Sequence, residues 1–206
     1  MIHDPTHLFE GEVSPGFARF AKMVSLVSHA PFISVPVFIA LNLQAPDTSM
    51  FLLSTVICII TATVIPTAMV QYYSVKFDND DGDIVRREDR FVPLLLGTAS
   101  YLLGYILLAL VGAPAVSTTL MLCYVIVTGV IIVISNYWKI SIHATGPIGP
   151  VLALSYAYGP AMLALFVLLP VIMVSRYVLR KHTPAQLVCG AALGTVLTIA
   201  VFSIML

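Results

Sequence analysis

Charge is what this chain has least of. Ten Lys and Arg and ten Asp and Glu stand among 206 residues, and they cancel to a formal net charge of zero. A soluble domain carries about 25% charged residues, against 10% in this chain, so a soluble globule is excluded. The charge balance provides no basic surface for nucleic acid. Cysteine is scarce as well. Cys58, Cys123 and Cys189 all sit in apolar runs, and an odd count without C-x-x-C spacing argues against a disulfide framework or a zinc site. Small apolar packing is what remains for them. No linker, low-complexity segment or internal repeat interrupts the chain. Its first residues are polar, and the first apolar run lacks a small-residue cleavage site, so no cleavable signal peptide is expected.

What is abundant is hydrocarbon. Hydrophobic residues make up 59% of the chain, and the mean hydropathy is +1.00. Several apolar runs approach the roughly 20 residues a spanning helix needs. Membrane barrels would show alternating segments of about 10 residues instead. The expected fold is therefore all-α: a polytopic membrane helical bundle of six to seven spanning helices. It forms a single membrane domain from Met23 to Leu206 behind a polar lead, Met1–Lys22. Spans are expected over Met23–Leu43, Met50–Tyr72, Phe91–Ala113 and Pro114–Trp138, with a last one ending at Leu206. His29, in the first span with Pro31 and Pro36, reads as a packed, hydrogen-bonded residue. Gly159-Pro160 is a turn signal within the apolar stretch Pro147–Val174. A hairpin there gives two short crossings; without it the stretch is one long span.

Three clusters hold almost all the polar chemistry: Lys76–Arg90, Lys139–Gly146 and Ser175–Gln186. Ionisable groups in lipid are expensive, so such clusters mark a membrane face or a site. With the hairpin, parity places all three on one face together with the N-terminus and leaves only Asp47 opposite. The positive-inside rule assigns that basic face to the cytoplasm, for a multi-pass protein of the cell membrane.

Within the third cluster, His182 and Gln186 are four apart and share a helix face. Arg176 approaches from the preceding helix end, and its planar fork suits a phosphate. A histidine beside such a group can attack phosphorus or move a proton. Thr183, Pro184 and Gln186 also spell a capping box with proline at the first helical position. Arg180 and Lys181 read as interface residues that snorkel. In the second cluster, Ser141 and His143 fall at an expected helix start, a ready anion site, and Lys139 adds charge. The first cluster sets Arg86, Arg87 and Arg90 behind Asp78, Asp80, Asp81 and Asp83. That pattern fits a solvated loop of mixed sign. Oxygen ligands of this kind can also hold magnesium, but the spacing fits no calcium loop and no metal is expected.

Together the clusters resemble the three motifs of the type 2 phosphatidic acid phosphatase superfamily, the lipid phosphate phosphatases, from Ser74 to Leu206. The family's third motif is S-R, five residues, H, three residues, D. Ser175-Arg176, His182 and Gln186 keep its spacing, with an amide in place of the acid. The second, P-S-G-H, is matched by Ser141 and His143 in Ile140-Ser141-Ile142-His143. The first, K, six residues, R-P, is matched least. Arg90 stands for its arginine, Asp83 falls where the lysine belongs, and the proline comes late at Pro93.

The resemblance implies an enzyme of the lipid bilayer that needs no cofactor and removes phosphate from a lipid or isoprenoid phosphate. His182 would attack phosphorus to form a phosphohistidine, and His143 would protonate the leaving alkoxide. Arg176, Arg90, Arg87, Arg86, Ser141 and Lys139 would hold the phosphoryl oxygens, and Gln186 would orient His182 or cap its helix. The altered motifs also fit a non-catalytic lipid-binding or assembly subunit. Asp80, Asp81 and Asp83 with the run Arg87–Pro93 resemble part of a magnesium-dependent membrane prenyltransferase, which would need a second aspartate-rich loop. Nothing in the sequence identifies the particular lipid phosphate or a protein partner.

Overall fold

The computed structural model describes residues 13–76 and 88–206. Among these, every regular element is a helix. The first, α1, spans Pro15–Val27 and starts on a Ser14 cap, whose Oγ accepts from the Phe17 N–H at 3.3 Å. It therefore begins well before Met23. The second, α2, spans Ala30–Asn42 and leaves at 48° to α1. The expected first span is thus a broken one. Pro31 has no N–H to continue the ladder, and its ring crowds the carbonyl four residues back, so the chain breaks at Ser28 and His29.

Asp47 caps α3, Thr48–Ile59, by accepting from the Met50 N–H at 2.8 Å. A π-helical turn, Ile60–Val64, joins α3 to α4, Ile65–Lys76. Pro66 accounts for that turn: widening the helix relieves the clash that a proline imposes. Neighbouring side chains then use the disturbed backbone, as membrane helices require. Ser100 Oγ donates to the Thr61 carbonyl at 2.7 Å, and Thr63 Oγ1 donates to the Pro31 carbonyl at 2.9 Å.

A short 3-10 turn, Glu88–Arg90, leads into α5, Phe91–Val111, and α6 follows over Ala115–Ser135. The four-residue α7, Ile142–Thr145, precedes α8, Ile148–Tyr158. The chain reverses at Gly159, whose φ of 96° lies in the region that favours glycine. A 3-10 stretch, Pro160–Val167, then runs into α9, Leu168–Val178, and α10 spans Pro184–Met205.

The hairpin expected at Gly159-Pro160 is present, but its arms are unequal. The 11 residues of α8 rise about 16 Å at 1.5 Å each. The returning arm reaches about 32 Å, because its 8-residue 3-10 stretch rises about 2 Å per residue. The end of α8 is pinned to the end of α2. Gln44 Nε2 donates to the Ala157 carbonyl at 3.2 Å, and the Tyr158 hydroxyl donates to the Ala40 carbonyl. Thus α8 reaches the face from which α3 starts, where Asp47 stands.

Among the described residues, five helices are long and apolar enough to cross a membrane, or six with the bent α1–α2 pair counted as one span. The fold is an all-α bundle, and these helices read as those of a multi-pass membrane protein. Between helices in lipid, hydrogen bonds and close packing replace the hydrophobic driving force. At the Asp47 end, buried Asn42 supplies such bonds. Its Nδ2 donates to Thr55 Oγ1 at 3.2 Å and to Cys58 Sγ at 3.8 Å, and its Oδ1 accepts from Ser117 Oγ at 2.7 Å. One amide thereby ties α2, α3 and α6 together and leaves the opposite end of the bundle for polar chemistry.

Candidate functional site

Arg90, at the described end of the first cluster, meets the other two clusters where α9 ends and α5 and α10 begin. Arg90, buried in the turn before α5, donates from Nη1 to the Ile140 carbonyl at 3.4 Å. The next residue, Ser141, donates its N–H to the Gln186 carbonyl at 3.3 Å. Residues 90, 140–141 and 186 are thus joined through consecutive backbone groups.

The start of α10 fixes His182. Thr183 Oγ1 accepts from the Gln186 N–H at 3.3 Å, and Gln186 Oε1 accepts from the Thr183 N–H at 3.1 Å, completing the capping box. The same Oε1 lies 3.2 Å from His182 Nδ1. A backbone N–H only donates, so the acceptor end of the Gln186 amide must face it. His182 Nδ1 is therefore the donor in its pair with Oε1, and in the neutral ring the lone pair sits on Nε2.

His143 is held by the packing of α7 on α10. Ser141 Oγ accepts from the Ala144 N–H at 3.3 Å, so this hydroxyl closes the start of its own short helix. Thr145 Oγ1 contacts the Ser141 carbonyl at 2.8 Å and the Gly190 carbonyl at 2.9 Å. A Cβ at Gly190 would lie 2.7 Å from the Ser141 carbonyl oxygen, and one at Gly194 would lie 2.9 Å from that of Thr145. Small residues at this spacing let backbones approach closely. We expect Gly190→Ala to destabilise the protein by about 1–3 kcal/mol, the usual range for overpacking. It should also displace α7, and with it His143, from His182. Reversible unfolding in mixed micelles measures the first effect, and a spin-label distance between α7 and α10 the second.

His29, Arg90, His143 and His182 line one cavity of about 130 Å³. Val70, Leu94, Val127 and Ile131 form its apolar wall, and Tyr101 and Tyr124 lie at its deeper end. Arg90 and Tyr101 are eleven positions apart along nearly continuous helix, so the cavity runs about 16 Å into the bundle. Among the described residues lining it there is no carboxylate.

Not every expected residue lines this space. Arg176, buried in the last turn of α9, donates from Nη1 to Ser25 Oγ at 2.6 Å and so ties α9 to α1. It is not among the lining residues, and neither are Ser141 or Lys139, although both are buried. Arg180 is exposed, in the left-handed region at φ 56°, and Lys181 is half-buried, as suits an interface turn. Arg86 and Arg87 lie outside the described residues. So do Asp78, Asp80, Asp81 and Asp83, on which the magnesium and prenyltransferase readings depend. Among the described residues, no three His, Cys, Asp or Glu side chains cluster to hold a metal ion.

Sequence reasoning missed two participants. His29 is read there as packing, yet its ring centroid lies 5.2 Å from that of His143. The available signal was Pro31, which takes residue 29 out of the regular helix. The other is Ser25, the partner of Arg176, which lies within the expected first span but carries no local signal of a contact 151 residues away. Compared with known proteins, the chain matches no family model, no curated protein and no solved structure.

Proposed function

We propose that the chain is an integral membrane phosphatase acting on a lipid or isoprenoid phosphate through a phosphohistidine on His182. One observation carries this reading: His182, His143 and Arg90, from three separated sequence clusters, line a single cavity whose remaining wall is largely apolar. A cationic end with no carboxylate among the described lining residues suits a phosphoryl group, and the apolar wall suits the first part of a hydrocarbon chain.

In this mechanism the Nε2 lone pair of His182 attacks phosphorus as the bond to the lipid oxygen breaks. His143 gives its proton to the leaving alkoxide. Arg90 stabilises charge on the phosphoryl oxygens in the transition state. His143, now neutral, takes a proton from the water that attacks the phosphohistidine; the N–P bond breaks, inorganic phosphate leaves, and His182 and the His143 acid are both restored. By the family resemblance, Lys139, Arg86 and Arg87 would supply further positive charge to the phosphoryl group. Arg176 joins them by exchanging its Ser25 hydroxyl for a phosphoryl oxygen.

The test is phosphate release from phosphatidate, phosphatidylglycerol phosphate and a polyprenyl diphosphate, each in EDTA. Release from at least one, persisting in the chelator, is the expected result; release from none sinks the proposal. The bilayer in this reading is the cell membrane, with the basic face in the cytoplasm. An Asp47→Cys variant in intact cells should then react with an impermeant maleimide added outside, whereas protection until lysis reverses the orientation.

A second reading has its own observation. Gln186 brings no charge to His182, and Arg176 is engaged with Ser25. Both suit a lipid-binding or assembly subunit on the same framework, which would bind lipid phosphate and release none.

A further inference from the structure

We propose that His29 is a positioning residue of this site, holding the His143 imidazole for proton delivery to the leaving group. The inference rests on the phosphatase reading above and assigns a role to a residue outside the three motifs. His29 occupies the N-cap position of α2, at the break from α1, yet its side chain caps nothing. Its backbone is fully engaged. The N–H donates to the Leu26 carbonyl at 3.2 Å, and the carbonyl accepts from Phe32 at 2.9 Å and from Ile33 at 3.3 Å. These bonds fix where the ring starts, and the ring lines the cavity.

There it stands edge-on between two other rings. Phe32 lies 6.4 Å away between centroids, and His143 lies 5.2 Å away with the ring planes at 81°. Two imidazoles joined by an N–H···N bond of about 2.9 Å have centroids roughly 5 Å apart, so the spacing admits such a bond. A general acid must keep its proton and aim it. An imidazole acceptor beside His143 does both, as second-layer partners orient catalytic histidines elsewhere.

The surroundings of His143 sharpen the role. Arg90 reaches the cavity from the start of α5, and His182 from the start of α10. Lys139 is buried in the segment before α7, and Arg176 is buried on α9, which packs against α7. Toward the cavity, α6 and α8 present Tyr124, Thr128 and Gly149, none of them charged at neutral pH. Among the described residues lining the cavity, the permanent charge is therefore positive, on Arg90. In that setting a neutral His29 accepts from one N–H of the protonated His143 ring and leaves the other for the leaving group. Two imidazolium ions this close would repel one another.

The experiment uses the full-length chain in micelles, with two variants and two readouts. His29→Phe keeps an aromatic ring and removes the acceptor. It should lower kcat about 10²-fold, the smaller end of general-acid effects, with little change in KM and an altered pH–rate profile. His29→Gln keeps an acceptor and should restore most of the turnover; it also carries the test if the phenylalanine variant does not fold. The second readout needs no turnover: nitrogen-15 NMR titration of His143, whose midpoint should move by about half a unit or more in either variant. Titration curves and pH profiles superimposable on the wild type would overturn the proposal and leave His29 as packing. Absence of turnover in the wild type would defeat the phosphatase reading instead, while the NMR comparison still decides whether His29 governs His143.

Discussion

Replacing His182 with alanine is expected to abolish both phosphate release from lipid phosphates and acid-labile phosphorylation of the chain, with the fold intact. The two losses belong together because one atom, Nε2, would carry the phosphoryl group in the intermediate. In a triad hydrolase, removing the nucleophile leaves only the rate supplied by binding and charge stabilisation, orders of magnitude below the wild type. The fold should survive because His182 contributes little to the start of α10. Gln186 Oε1 loses one of its contacts but keeps the Thr183 N–H, and the Thr183 hydroxyl keeps the Gln186 N–H. One such bond is worth about 1 kcal/mol net. Circular dichroism and size exclusion in detergent separate a dead site from an unfolded chain. Retained turnover in the alanine variant would sink the assignment of His182 as nucleophile.

How far the sequence could be read differs from one element to the next. The capping box at Thr183–Gln186 was legible because its bonds are local: three residues determine them whatever the rest of the bundle does. The reversal at Gly159 was legible for the same reason. The lengths of its arms were not, because apolar composition does not distinguish a 3-10 stretch from an α-helix, and the rise per residue decides the span. Parity brought Arg90, His143 and His182 to one face, and the cavity they share lies at that face. Their distances could not be foreseen. They depend on α7, a four-residue helix with no periodicity to read, and on the glycines of α10 that admit it. His29 was lost through a reasonable rule. Prolines are tolerated within membrane helices, so Pro31 did not signal a break, although a break is what turns residue 29 toward the site. Arg176 shows the limit of motif spacing. Its position in the motif implies a phosphate contact, whereas its bond to Ser25 depends on how α1 packs against α9, which no local pattern encodes.

Exchanging Gln186 for glutamate is expected to raise turnover by about 10² or more, with a ceiling near 10⁴ set by the loss when a triad aspartate becomes its amide. Glutamate matches the size of glutamine and serves equally well at the third position of a capping box. Its oxygen can therefore keep both the Thr183 N–H and His182 Nδ1, now 3.1 Å and 3.2 Å away. Aspartate, the residue the family resemblance would suggest, is one carbon shorter and would have to give up part of that geometry. What changes with glutamate is charge. As Nε2 bonds to phosphorus the imidazole becomes cationic, and a carboxylate at Nδ1 stabilises that cation where an amide only accepts a hydrogen bond. The cost is a carboxylate at a position only 1% exposed. An unpaired buried charge would be strongly destabilising. Here the Thr183 N–H, the positive end of α10 and the imidazolium offset the desolvation. The gain should accordingly be specific to Gln186→Glu and disappear in the double variant with His182→Ala. A gain confined in this way would assign Gln186 a moderating role on a working nucleophile. If neither the wild type nor the glutamate variant turns over, yet both bind lipid phosphate, Gln186 is only a cap, and the site is a binding site built on the same three clusters.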